Sequence, residues 1–339
     1  MIRIYSVPEA RGSILRRDSG ASIAISEGVR AGIKRVFGEE LTAEEAVARL
    51  LTDVREKGDR ALIDWTKRID SIELESIQVP GSEIEAALKR IPDDLEESLR
   101  AAAERIHQFH EHQPVPNWTT ADMGGIVGQR FTPIQRVGVY VPGGTAPLPS
   151  SLLMGVIPAQ VAGVPEIVVT TPPGQEDGTV TDVILAAAAI CGVQKVYAVG
   201  GALAVGALAF GTESVPRVDK IVGPGNLFTT VAKQQVYGIV GIDGLYGPTE
   251  TAVVADDSAD PEWVAADLLA QAEHDILASA ILLTPSRELA EAVQVEVARQ
   301  MEMLSRADII AESLDFRGGI VLVDNIDQAC RLVSEYAAE

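Results

Sequence analysis

The sequence predicts an α/β fold with two parallel sheets and an N-terminal helical segment. Three observations support this. The 339 residues suit about two domains of ordinary size. Hydrophobic residues make up 47% of the chain but aromatic residues only 4%, which indicates an interior of Ala, Val, Ile and Leu. From Arg136 onward, short Val- and Ile-rich runs alternate with Ala-rich stretches, and this rhythm is typical of strands joined by crossover helices.

The net charge and the cysteine content limit the partners and the cellular compartment that we expect for this protein. The formal net charge of −21 argues against nucleic-acid or membrane partners, because both present phosphate groups that repel an acidic protein. No apolar run approaches the roughly 20 residues of a membrane-spanning helix. Cys191 and Cys330 are far apart in sequence, and the N-terminus lacks a signal-peptide pattern. We therefore expect a soluble, cytoplasmic protein with reduced thiols.

The helical segment is identified by a capping box and by apolar periodicity. Thr42 begins a Thr-Ala-Glu-Glu sequence, and apolar residues then recur every three or four positions through Val54. The helical pattern extends to about His112. Because this segment has no sheet of its own, we expect residues 1–135 to pack with residues 247–339 as one discontinuous domain.

Residues 136–246 are predicted to form an inserted α/β domain. Alternation of strand and helix implies a parallel sheet covered on both faces. The predicted strands are Val137–Val141, Glu166–Thr171, Lys195–Val199, Lys220–Val222 and Ile239–Ile242. A second set of strands follows, at Thr251–Ala255, Ala280–Leu283 and Ile320–Val323.

The turn Gly223-Pro-Gly-Asn226 stands at the carboxyl end of a predicted strand and opens a predicted helix. Glycine-rich turns in this position let a backbone approach a pyrophosphate at a helix N-terminus. The usual GxGxxG spacing is absent, since Phe228 fills the third glycine position. The pattern alone leaves two roles open for Asn226, a helix N-cap or a cofactor contact.

Gln271 and His274 lie three residues apart at the end of a predicted helix, a spacing that turns both side chains to one side. Imidazole is a common zinc ligand, whereas a carboxamide oxygen is uncommon, and two ligands do not complete a tetrahedral site. An interaction of the histidine with the helix dipole is the alternative. The other three histidines lie in the polar stretch 106–112, where solvent exposure is the better interpretation.

In combination, the motifs of the chain resemble the histidinol dehydrogenase family from about residue 30 to the end. The segments that carry the resemblance are Arg136–Ala146, Pro149–Met154, Pro158–Gly163, Gly200–Ala202, Ala207–Thr212, Ile221–Asn226, Ala232–Lys233, Gly241–Asp243, Gly247–Glu250 and Gln271–His274. The resemblance implies two Rossmann-like (aldehyde dehydrogenase-like) α/β domains and an intertwined homodimer. It also implies oxidation of L-histidinol to L-histidine, through an aldehyde, with two NAD molecules and one Zn²⁺ ion.

The resemblance assigns roles to individual residues. Tyr140 and Asn226 match NAD contacts of the family, and Gln271 and His274 match two zinc ligands that also face the substrate. Glu339 aligns with the glutamate that activates water. In the family a histidine follows that glutamate, and an aspartate and a second histidine further downstream complete the zinc site. The sequence contains none of these three, so we expect a C-terminally truncated chain with little turnover of its own.

Three positions depart from the family pattern. Thr249 replaces a serine that touches substrate and keeps the hydroxyl group. Leu203 stands where a glutamine contacts NAD, so one polar anchor of the cofactor is lost. Tyr246 replaces a small alanine beside the expected pocket. These departures leave open a related NAD- and zinc-dependent dehydrogenase of another small polar alcohol, and the missing segment leaves open a non-catalytic remnant of the fold.

Overall fold

The computed structural model describes residues 2–16, 27–143, 147–174, 178–246 and 249–338. The strands run in the order β1 Ile4–Ser6, β2 Trp118–Thr120, β3 Val127–Gln129, β4 Arg136–Tyr140, β5 Glu166–Thr171, β6 Val196–Ala198, β7 Lys220–Val222, β8 Gly241–Ile242, β9 Glu250–Val254, β10 Ser279–Thr284 and β11 Gly319–Leu322. The helices are α1 Val7–Arg11, α2 Glu27–Phe37, α3 Ala43–Lys57, α4 Asp59–Asp70, α5 Gly81–Ala87, α6 Asp93–His110, α7 Pro149–Val161, α8 Asp182–Ile190, α9 Gly201–Phe210, α10 Leu227–Val236, α11 Pro261–Ala272, α12 Arg287–Met301, α13 Ala307–Arg317 and α14 Ile326–Tyr336.

The chain divides into two compact units, residues 25–245 and residues 1–24 with 246–339. The larger unit contains a five-stranded parallel sheet in the order β6-β5-β4-β7-β8. All five strands coincide with predicted ones, and the α/β class with parallel sheets is confirmed. Sequence order reverses between β4 and β7, and in open α/β sheets such a switch point opens a crevice at the carboxyl ends of the strands.

Both faces of this sheet are covered, because a parallel sheet has no face suited to water. On one face, α9 and α10 pack with α3 and α4 around a core that includes Leu62, Trp65 and Leu208. On the other face, α7 and α8 pack with α5 and α6 around Leu152, Leu153 and others. Helix α9 is almost entirely small and apolar, so it lies close against the strands.

The structure differs from the predicted assignment of the helical segment. The capping box at Thr42 forms as predicted, with Thr42 Oγ1 accepting from Glu45 N at 3.1 Å and the Glu45 carboxylate accepting from Thr42 N at 2.9 Å. Helices α3 to α6, however, belong to the larger unit and share its two hydrophobic cores. They pack against the crossover helices on the two faces of the sheet, α3 against α9 and α10, and α5 and α6 against α7 and α8.

The smaller unit has its own parallel sheet, in the order β1-β11-β10-β9. Helices α11, α12 and α13 cover one face, and α1 and α14 cover the other. The N-terminal strand β1, which sequence analysis did not predict, supplies the edge next to β11. This unit therefore needs no helices from residues 27–110. Among the described residues, no helix has the length and apolarity that a membrane crossing requires.

Candidate functional site

The carboxyl edge of the five-stranded sheet contains the turn Gly223-Pro-Gly-Asn226, directly after β7. Gly223 has φ of +120°, and a Cβ built on it lies 2.1 Å from the backbone oxygen of Tyr140. A Cβ on Gly225 lies 2.5 Å from the Thr229 side chain. No side chain fits at either position without displacing a neighbour, so glycine is required for this close approach of turn to strand.

Asn226 is the N-cap of α10. Its Oδ1 accepts from Thr229 N at 3.2 Å and from Thr229 Oγ1 at 3.3 Å. The capping alternative from the sequence is thus confirmed. It does not exclude the second alternative, because Asn226 is exposed and the cap uses only its oxygen. The side-chain nitrogen has no hydrogen-bond acceptor among the described residues and remains available to a ligand.

Tyr140, at the end of β4, is 4% exposed. Its hydroxyl accepts from Gly201 N, at the start of α9, at 3.3 Å, and is also hydrogen-bonded to the Thr229 side chain. Burial raises the pKa of the Tyr140 hydroxyl above its usual value, and hydrogen bonds with Gly201 and Thr229 partly oppose this shift. The phenol is therefore neutral at physiological pH.

These contacts form one chain of hydrogen bonds, from Gly201 through Tyr140 and Thr229 to Asn226. The structure thus brings together the two predicted NAD contacts, Tyr140 and Asn226, and joins them to the N-termini of two helices. Thr229, the link between them, was not predicted. It follows the GPGN turn by one helical turn, where an N-cap partner is expected, and that spacing was the available signal.

Leu203 does not belong to this polar group. Its side chain is 4% exposed and packs within the core of the larger unit. It therefore offers neither a hydrogen-bonding group nor appreciable surface at the position that the sequence analysis aligned with an NAD contact.

A buried ion pair below the turn was also missed by the sequence analysis. Lys233 on α10 and Asp243 after β8 lie 2.8 Å apart, Nζ to Oδ1, with side chains 3% and 19% exposed. Both residues are in motifs that carry the family resemblance, but the sequence alone gave them no role. The sequence analysis also gave no role to Asp70, at the end of α4. The negative charge of its carboxylate raises the pKa of Tyr140. Desolvation raises the pKa of Asp70 above its usual value.

In the smaller unit, the predicted substrate residues Thr249 and Gln271 are in contact. Gln271 Nε2 donates to Thr249 Oγ1 at 3.0 Å. This bond orients the amide so that its oxygen points elsewhere and is free to bind a cation. Tyr246, predicted to add bulk near the substrate, is 45% exposed.

His274 lies two residues beyond the end of α11 and is exposed. Its Nδ1 is 2.8 Å from the backbone oxygen of Ala270. A carbonyl oxygen only accepts hydrogen bonds, so Nδ1 carries the proton and Nε2 of the neutral ring has a free lone pair. Many metal-binding histidines are oriented by such a carbonyl bond.

Gln271 and His274 thus each leave one possible ligand atom available, the amide oxygen and the imidazole Nε2. Over residues 2–16, 27–143, 147–174, 178–246 and 249–338, no group of three or more His, Cys, Asp or Glu side chains is arranged to hold a metal. The predicted catalytic residue, Glu339, lies outside the described residues.

The chain is similar in sequence and in structure to known proteins. The profile of the family described as Histidinol dehydrogenase matches residues 34–339. A histidinol dehydrogenase of Deinococcus radiodurans is 50% identical over 340 residues, which cover 100% of this chain and 77% of the relative. One from Hydrogenovibrio crunogenus is 45% identical over 324 residues, covering 93% and 74%. The crystal structure of histidinol dehydrogenase from Elizabethkingia anophelis superposes with a TM-score of 0.86 at 34% identity, covering 100% of this chain and 74% of that one.

Proposed function

The chain belongs to the histidinol dehydrogenase family, a family of NAD-dependent oxidoreductases, and from this premise we propose roles for its residues. We propose that the turn Gly223–Asn226, with Tyr140, receives NAD. The observation that carries this proposal is the hydrogen-bond chain from Gly201 to Asn226, which fixes two helix N-termini beside a turn in which Gly223 and Gly225 have no side chain. Helix N-termini favour the negative charge of a pyrophosphate.

Each residue of this group has a distinct task in the proposal. Tyr140 holds β4 against the two helices and keeps its hydroxyl neutral, so no charge opposes an anionic ligand. Asn226 presents its side-chain nitrogen as a donor while its oxygen caps α10. Bound NAD supplies the hydride acceptor that oxidation of an alcohol requires.

We propose that Thr249, Gln271 and His274 bind L-histidinol, and that Gln271 and His274 hold Zn²⁺. The support is the orientation of both side chains, which leaves an amide oxygen and an imidazole nitrogen free as ligands. A bound zinc ion supplies positive charge that orients a polar substrate and is itself redox-silent. Glu339 stays our proposal for the carboxylate that activates water, and the homodimer also stays a proposal, which sedimentation velocity tests.

Isothermal titration with NAD tests the nucleotide site. We expect saturable binding that weakens in Tyr140→Phe, which keeps the ring but loses the hydroxyl. Tyr237→Phe is the matched control, because Tyr237 is 70% exposed and lies outside the turn. Absence of NAD binding to the unmodified chain contradicts the proposal.

Titration with Zn²⁺, then with L-histidinol, tests the second site. We expect His274→Ala to abolish zinc-dependent binding of L-histidinol, whereas His112→Ala, at an exposed histidine near the end of α6, leaves it unchanged. Equal loss in both variants indicates nonspecific zinc binding and refutes the assigned ligand.

A further inference from the structure

The ion pair of Lys233 and Asp243 has no role in the reaction as proposed so far. The pair is 2.8 Å apart, and the Lys233 side chain is 3% exposed. Lysine is among the residues least often buried, and a buried ion pair rarely stabilises a fold more than apolar side chains of the same volume. The contribution of this ion pair is therefore the backbone geometry that it fixes, rather than stability.

Both charges bind the main chain of a single residue, Gly223. Asp243 Oδ2 accepts from Gly223 N at 2.7 Å, and Lys233 Nζ donates to Gly223 O at 2.5 Å. Asp243 Oδ1 also accepts from Gly244 N at 2.8 Å. The peptide groups on either side of Gly223 are thus held at once, one by the anion and one by the cation.

Gly223 needs this support because of its conformation. Its φ of +120° is strained for any residue with a side chain, and its backbone lies directly against Tyr140 O. A glycine is also the residue with the largest conformational freedom to lose. The bonds from Asp243 and Lys233 fix the orientation of both peptide groups at the point where the turn leaves β7.

We infer that Lys233 and Asp243 are positioning residues for the dinucleotide. They hold the turn Gly223–Asn226 in its NAD-binding conformation before NAD arrives. Binding therefore does not incur the entropy cost of ordering the backbone. The inference rests on the proposed function, since it assumes that NAD binds at this turn. Neither residue is assigned a contact with the cofactor.

The test compares NAD affinity with stability in three variants. Lys233→Met and Asp243→Asn each leave one buried charge without its partner, and we expect both to unfold more easily. The double variant K233M/D243N removes both charges and is expected to regain stability over the single variants. In the double variant the Gly223 carbonyl still lacks its hydrogen bond from the side chain at position 233. We therefore expect the NAD dissociation constant of this variant to remain at least about 10-fold above that of the unmodified chain.

Glu166→Gln is the matched control. Glu166 forms ion pairs with Arg136 and with Lys195 at the amino edge of the same sheet, opposite to the turn. This variant weakens an ionic cluster of the same unit, and we expect its NAD dissociation constant to stay within about 2-fold of the unmodified value. An equal loss of affinity in Glu166→Gln shows general damage to the sheet and overturns the inference.

Hydrogen exchange of the backbone amides of Gly223–Asn226, measured without NAD, reports directly how firmly the turn is fixed. We expect exchange at least about 10-fold faster in the double variant. A folded double variant with unchanged exchange and unchanged NAD affinity overturns the positioning role while the proposed function stands. If the unmodified chain binds no NAD, the proposed function fails, and the positioning role fails with it.

Discussion

Replacement of Asn226 separates its capping role from its proposed contact with NAD. Aspartate preserves the capping oxygen and adds a negative charge at the N-terminus of α10, whose first turn contains no acidic residue. We expect Asn226→Asp to stabilise the larger unit by about 0.3–1 kcal/mol through the helix dipole. Asn226→Ala loses the cap, and we expect it to destabilise the unit by about 1 kcal/mol.

NAD affinity should change in the opposite direction to stability. At an effective dielectric constant of about 20, like charges roughly 10 Å apart repel by about 1.5 kcal/mol, which corresponds to a factor of about 10 in a dissociation constant. We therefore expect Asn226→Asp to be more stable than the unmodified chain and yet to bind NAD about 10-fold more weakly. A change that merely disturbs the fold lowers both quantities.

The assays are urea unfolding for stability and isothermal titration for NAD. Asn325→Asp is the control, because Asn325 caps α14 in the same way, accepting from Gln328 N at 2.9 Å, and belongs to the other unit. We expect it to leave NAD affinity unchanged. The reasoning is refuted if Asn226→Asp binds NAD as tightly as the unmodified chain, or if its stability falls to that of Asn226→Ala.

Three further predictions concern Asp70, Tyr336 and Gly223. Because desolvation raises the pKa of Asp70, its ionised form disfavours folding above the folded-state pKa, and this penalty disappears below the usual value near 3.8. Asp70→Asn should therefore raise the melting temperature at pH 7 by a few degrees and leave it unchanged near pH 3, and scanning calorimetry that finds the reverse contradicts this reasoning. Tyr336→Phe removes a buried hydroxyl that donates to Ser279 Oγ at 3.0 Å, so we expect a loss of about 1 kcal/mol in urea unfolding, whereas no loss shows that the bond is energetically neutral. Gly223→Ala places a Cβ 2.1 Å from Tyr140 O, and we expect no measurable NAD binding and a lower melting temperature; normal affinity refutes the close packing of turn and strand.

Much of the site could be predicted from local sequence. The GPGN turn after a β-strand, the Asn226 cap and the Thr42 capping box depend on residues within a few positions of one another, and all of them form as expected. Contacts between Lys233 and Gly223, or between Gln271 and Thr249, join residues that no local periodicity relates. Neither contact was predicted, although the family resemblance assigned both Gln271 and Thr249 to the substrate site.

The predicted partner of the helical segment shows the limit of the sequence pattern. Apolar periodicity in residues 41–112 indicates that these helices bury one face, but the same face suits any apolar surface. Their actual partners are the crossover helices of the larger unit, α9 and α10 for α3, and α7 and α8 for α5 and α6. In the smaller unit, one face of the sheet is covered by α1 and α14 instead.

The sequence by itself determined the α/β class, the five strands of the larger sheet, the glycine-rich turn Gly223–Asn226 and the identity of the polar side chains. These features arise from period, turn chemistry and residue type, which are properties of short segments. Only the tertiary structure decided which unit the helices cover, which charges hold Gly223, and that Leu203 is buried. In each case, segments that are distant in sequence compete for the same apolar surface or the same buried polar group. The outcome is decided only when the whole chain packs.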